Sequence, residues 1–167
     1  MTRLVPTAEM TLGPFFPREF AEGANDLAKG MKGETIEIRG RVLELDGRAL
    51  DNVVLEIWQA DGAGRLDNAD FPGWGRTPTD AQGNYLFRTI RPGAIPGRAP
   101  HINFLILYSG LMRQLQTVMF FENGDDAVLQ AVEGSRRNRL IAERITANSY
   151  RFDIRLRGGD ETPFFDD

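Results

Sequence analysis

From Glu34 onward the apolar residues fall at every second position. Ile36, Ile38 and Val42 share one side of the chain while Glu37, Arg39 and Arg41 take the other, which is the pattern of a strand with one buried face. Asp46-Gly47 supplies a tight hairpin-type turn, and Val53, Leu55 and Ile57 then alternate with Val54, Glu56 and Trp58 in a second strand. A loop over 61–78 leads to the turn Thr79–Asn84, after which Tyr85, Phe87 and Thr89 resume the alternation as a third strand. Pro92-Gly93 and Pro96-Gly97 keep the next connection out of helix. Ile102, Phe104, Ile106 and Tyr108, with largely apolar residues between them, predict a central strand. Leu115, Thr117, Met119 and Phe121 predict a fifth strand, and Tyr150, Phe152, Ile154 and Leu156 a sixth. Between these two, Val128, Leu129 and Val132 and then Leu140, Ile141 and Ile145 have helical spacing, with Ser135 as N-cap, so one or two short helices are expected. Six strands with so little helix predict an all-β domain, a β-sandwich, over residues 34–167.

Residues 1–33 break the pattern. Pro6, Pro14 and Pro17, Gly13, Gly23 and Gly30, and the pair Phe15-Phe16 suit an extended N-terminal arm whose aromatic rings need a surface to lie on. A turn or two of helix over Ala24–Met31 is the one local element this stretch offers.

Composition narrows the chemistry. The 167 residues suffice for one domain with a sizeable core, and the lack of cysteine removes disulfides, thiolate metal sites and thiol nucleophiles. One histidine means that no site requiring two imidazoles is completed within this chain. A net charge of −4 argues against nucleic acid as a partner. The longest apolar run, Phe104 to Tyr108, is far short of a membrane span, and no charged-then-apolar leader is visible, so the expectation is a soluble, cytoplasmic protein without membrane contact.

Few familiar catalytic patterns survive inspection. None of the three serines, Ser109, Ser135 and Ser149, sits in a Gly-x-Ser-x-Gly elbow. Asp125-Asp126 and Asp166-Asp167 read as solvated loop and tail charges, and no phosphate-binding glycine loop is present. Pro100-His101-Ile102-Asn103 is more informative, because positions i and i+2 of a strand face the same way and a His-x-His there would offer two imidazoles to one metal. Here the second imidazole is replaced by an amide, and His101 taken alone reads as a hydrogen-bonded structural residue.

Several separate segments then carry a likeness in the right order. They are Gly40–Glu44, Leu55–Asp61 (Leu-Glu-Ile-Trp-Gln-Ala-Asp), Phe87–Gly93 (Phe-Arg-Thr-Ile-Arg-Pro-Gly), Ala99–Asn103 and Tyr150–Leu156, framed by Thr11-Leu12-Gly13-Pro14 and Glu161–Phe165. Together they resemble the intradiol ring-cleavage dioxygenases, and among these the alpha-subunit type of protocatechuate 3,4-dioxygenase. The resemblance implies a prealbumin-like β-sandwich paired with a homologous beta subunit, which holds a mononuclear Fe3+ through two tyrosinates and two histidines and opens a catecholic ring with O2. Carried over position by position, the tyrosines fall at Leu66 and Ile95 and the histidines at His101 and Asn103. Three of the four ligands are thus absent, so this chain is expected to bind no iron and to be inactive alone.

The same resemblance assigns the alpha arm to closing the pocket over the neighbouring iron, at positions matching Thr11, Gly13, Pro14 and Phe15. Gly-Pro gives a rigid backbone that approaches a ligand closely, the threonine a hydroxyl and the phenylalanine a wall against water. Where alpha subunits commonly carry an arginine suited to a substrate carboxylate, this sequence has Ser109, which hydrogen-bonds without adding charge. Two other readings stay open: a non-catalytic sandwich module serving binding or scaffolding, and a self-assembled enzyme using another metal at His101.

Overall fold

In the computed structural model the described residues are 23–109, 111 and 113–165. They form two sheets packed face to face. The first combines β1 (Thr35–Leu43), β4 (Asn84–Ile90), β7 (Glu143–Thr146), β8 (Ser149–Arg151) and β9 (Ile154–Arg155) in the order β4-β1-β8-β7, with β9 paired to the end of β1. The second is β3-β2-β5-β6, built from β2 (Val54–Trp58), β3 (Trp74–Pro78), β5 (His101–Leu107) and β6 (Leu115–Phe120). The expected all-β sandwich is therefore the observed one.

Its interior is what the alternation dictates. Ile36, Ile38, Val42 and Phe87 from the first sheet meet Leu55, Ile57, Ile102, Phe104 and Ile106 from the second, all buried. At the centre the rings of Tyr85, Phe87, Phe104 and Phe152 meet mostly edge to face, Phe87 and Phe104 at 6.2 Å and 82°, which fixes the two sheets laterally as well as burying area. Among the described residues no helix is long and apolar enough to cross a membrane.

Four local expectations need correction. The Asp46-Gly47 turn forms, with Gly47 at φ 76° and a bridge from Leu43 to Ala49, but β2 then leaves β1 and pairs with β3 and β5 in the other sheet. The loop over 61–78 ends in a full strand, β3, whose Glu56–Arg76 register explains why Glu56 is buried rather than outward: Arg76 Nε donates to its carboxylate at 2.7 Å and the Trp74 indole lies alongside. The helical reading of Leu140–Ile145 fails: a 3₁₀ turn (Asn138–Leu140) gives way to β7, every residue of which is exposed. Helices α1 (Ala127–Ala131) and α2 (Gly134–Arg137) do form, yet Ser135 lies inside α2, and the true cap is Asp126 of α1.

The stretch over Ala24–Met31 forms turns instead of helix and stitches the open edges of the two sheets. Ala24 accepts from the Arg76 N–H of β3, Asn25 accepts from the Arg88 N–H of β4, and Leu27 and Ala28 are buried in the core.

Candidate functional site

The segment over 61–70 is organised by one buried carboxylate. Asp61 Oδ1 accepts from the Ala63 and Arg65 N–H groups, both at 2.9 Å, and Oδ2 from Arg65 Nε and Asn68 Nδ2, both at 2.8 Å. The Arg65 N–H leads the set of donors that hold this carboxyl well below the usual carboxylate range, against burial, which pushes it up. The Asp61 carbonyl also accepts from the N–H of Gly93 at 2.8 Å, so the loop is tied to the Pro92–Pro100 connection. That tie demands glycine on both sides. A Cβ on Gly93 would lie 2.6 Å from Gly64 N, and one on Gly64, already at φ 77°, would fall on the Ala94 carbonyl. The two tied segments are those that carry Leu66 and Ile95.

A second buried carboxylate governs the approach to β5. Asp126, expected on the surface, has a fully buried side chain: Oδ2 pairs with Arg98 Nε at 2.7 Å and accepts from Ala99 N–H, while Oδ1 caps α1 through Val128 and Leu129. Burial raises its pKa, but the Arg98 bond and the backbone donors outweigh it, so the carboxyl is held below its ordinary range. Sequence reading missed both aspartates, although Asp-Gly-Ala-Gly-Arg was itself a turn signal.

Downstream, His101 opens β5 at 8% exposure with its Nδ1 2.7 Å from the Ala99 carbonyl. A carbonyl only accepts, so Nδ1 carries the proton and the lone pair resides on Nε2. Burial lowers the pKa of the ring and favours this neutral form. Asn103 follows two residues on, exposed, between Trp58 of β2 and Val118 of β6 in register. The strand thus places His101 and Asn103 on one face, as their spacing predicts.

At the other two positions, Leu66 is 72% exposed on the Asp61 loop and Ile95 forms an isolated bridge with Arg98. Neither side chain has an atom with a lone pair, and an amide oxygen is a weak donor to a transition metal. The four positions therefore do not fit a ferric ion, and among the described residues no three His, Asp or Glu side chains gather to hold a metal elsewhere. Ser109 lies in the turn after the far end of β5, on the order of 20 Å along the strand from His101, so one chain does not bring the two into a common pocket. Thr11, Gly13, Pro14 and Phe15 lie outside the described residues.

A dioxygenase family model matches residues 12–158. The chain belongs to the intradiol dioxygenase family. Over nearly its whole length it is similar to the protocatechuate 3,4-dioxygenase alpha chain of Burkholderia cepacia, 34% identical with 99% of this chain and 100% of the relative covered. The alpha chain of Pseudomonas putida is 35% identical, covering 98% and 97%. The beta chain of Burkholderia cepacia is 39% identical over a shorter match, 78% of this chain and 68% of the relative. The Burkholderia alpha-chain alignment runs over 196 positions against 167 residues, so stretches of that relative have no counterpart in this family member. Among solved structures, the dioxygenase domain of a dioxygenase and carbohydrate-binding fusion from Streptomyces sp. SirexAA-E superposes with a TM-score of 0.68 at 26% identity, covering 93% of this chain and all of that one.

Proposed function

We propose that this chain is the iron-free, alpha-type subunit of an intradiol dioxygenase of the protocatechuate 3,4-dioxygenase type, a cytoplasmic enzyme in which a homologous beta-type chain holds Fe3+ and O2-dependent ring cleavage of a catecholic acid takes place. The observation that carries the reading is the donor set: hydrocarbon at Leu66 and Ile95, a carboxamide at Asn103 and a single imidazole at His101. The likeness to relatives named as alpha chains over almost the full length supports it.

In this reading the ferric chemistry belongs to the partner, and this chain contributes walls. Thr11, Gly13, Pro14 and Phe15 close the pocket of the neighbouring subunit, and Ser109, at the opposite end of β5 from His101, faces a partner's substrate rather than this chain's own degenerate site. A serine there gives a hydrogen bond without a charge, so the acid group of the substrate is held less firmly than an arginine would hold it.

The test is purification with and without a beta-type chain carrying Tyr and His at the four ligand positions. This chain alone is expected to contain no stoichiometric iron and to be colourless, and the co-expressed pair to carry iron, tyrosinate colour and ring-cleaving activity. Iron retained by the isolated chain after dialysis overturns the assignment. Failure to co-purify with any such chain favours the non-catalytic scaffold module instead.

A further inference from the structure

The largest cavity described, about 1030 Å3, lies between the 30–34 segment, the Asp61 loop and the end of β4, and it contains none of the four degenerate ligand positions. Met31, Phe71 and Pro92 give it apolar wall, while Lys32 and Arg91 give it positive charge. Arg91 sets it apart from an ordinary surface groove. Its backbone N–H donates to the Glu34 carbonyl at 2.8 Å, its guanidinium carbon stands 4.6 Å from the centre of the Phe121 ring and 5.7 Å from that of Tyr150, and NH1 donates to the Tyr150 hydroxyl. The group is half-buried and fixed on three sides.

Among the described residues no carboxylate lies within ion-pairing distance of Arg91, whereas Arg65 on the same wall is paired with Asp61 at 2.7 Å. The other acids of the cavity do not neutralise it: Asp61 is committed to Arg65 and Asn68, and Glu34 and Asp70 are exposed, where water and salt screen them. Among the described residues Arg91 is therefore the half-buried cation of this wall that has no ion pair and keeps unused N–H donors, beside the buried Asp61, whose charge Arg65 already pairs. A guanidinium fork fits a planar carboxylate in two parallel hydrogen bonds, and it binds most strongly where water is partly excluded.

We propose that this cavity is a binding site for a small organic carboxylate with an apolar body, the carboxylate on Arg91, Lys32 at the rim and the body against Met31, Phe71 and Pro92. The site needs neither iron nor a partner chain, so it stands or falls separately from the subunit assignment.

The experiment is a titration of the full-length chain with benzoate, and with benzamide as its uncharged counterpart, followed by calorimetry and by the Met31 methyl resonance. Benzoate is expected to saturate at millimolar concentration and shift Met31, with benzamide at least about tenfold weaker. Arg91→Gln is expected to weaken benzoate about tenfold, Arg91→Lys to retain part of the affinity, and Lys32→Gln to cost about threefold. Equal binding of benzoate and benzamide, no binding of either, or unchanged affinity in a folded Arg91→Gln protein overturns the proposal. If Arg91→Gln does not fold, because it also leaves Tyr150 and Phe121, the benzoate and benzamide pair on the unsubstituted chain and the Lys32→Gln variant decide the matter.

Discussion

Asp61 and Leu66 sit five residues apart on one loop and meet opposite fates. The aspartate is buried and accepts four hydrogen bonds through its two side-chain oxygens, while the leucine is 72% exposed and offers no donor atom to anything. The same contrast recurs at β5, where Asp126 fixes Arg98 and Ala99 immediately before His101, yet Asn103 beyond it is an exposed amide. The carboxylate bonds that order both loops are present, while Leu66, Ile95 and Asn103, which the proposed function reads as former ligand positions, carry no strong metal donor. The order of these loops is thus supplied by carboxylate to backbone bonds, which need no metal. Under the proposed function, exchanging ligands for hydrocarbon in one of two homologous subunits leaves this loop order in place, provided the aspartates and the two abutting glycines stay.

The strongest way to break this comparison is to return the donors. The variant Leu66→Tyr, Ile95→Tyr, Asn103→His, with His101 kept, is expected to gain Fe3+ and visible tyrosinate absorption, and the parent chain to show neither, as read by metal analysis and the optical spectrum. A folded triple variant that stays colourless and iron-free would mean that the frame has moved along with its ligands.

Next in size is the frame itself. Asp126→Ala strips the cap of α1, leaves Arg98 unpaired at 25% exposure and frees the Ala99 N–H, so a loss of about 3 kcal/mol is expected in urea unfolding. Asp61→Asn keeps the shape but weakens the charge-assisted bonds and leaves an amide nitrogen facing donors, for a loss of about 2 kcal/mol. Leu66→Ala on the same loop, being exposed, is expected to change stability by less than about 0.5 kcal/mol. Comparable losses at Asp61 and Leu66 would erase the distinction between frame and position.

Much of this was legible in the sequence. Strands rich in Ile, Val and Phe at period two announced β1, β4 and β5, because one buried face forces that alternation. The one-face placement of His101 and Asn103 was likewise readable from their spacing. What escaped was whatever depends on partners distant in the chain. Trp74-Gly75-Arg76-Thr77-Pro78 has no apolar alternation, and it is a strand because β2 lies beside it and accepts glycine and threonine on its inner face. Ile145 matched a helical spacing but lies on an exposed edge strand held by β8. Asp126 looked solvated beside Asp125 until Arg98, 28 residues earlier, was found against it. Arg91 and Tyr150, 59 residues apart, gave no sequence signal at all.

Titration sharpens the contrast between frame and position further. Asp61 and Asp126 both have folded pKa values below their unfolded ones, so the stability they contribute is fully present above about pH 4 and is lost as pH falls through the folded values. Acid unfolding is therefore expected to steepen below about pH 4, and the Asp61→Asn protein to be less acid-sensitive in that range despite being weaker at neutral pH.

The smallest effect concerns His101, the one imidazole in the chain. Its ring is buried, donates from Nδ1 to Ala99 and titrates below the ordinary histidine value, so the unfolded chain takes up a proton before the folded one does. Stability should consequently rise with pH through the region just below about 6.5, where the unfolded ring releases its proton. In His101→Gln this slope should disappear, with a net change under about 1 kcal/mol at pH 8 because a glutamine amide can donate to the same carbonyl. Denaturant midpoints from pH 5 to pH 8 for the two proteins measure it. An unchanged slope would place the titrating group elsewhere, and a large loss at pH 8 would show that this imidazole belongs to the frame.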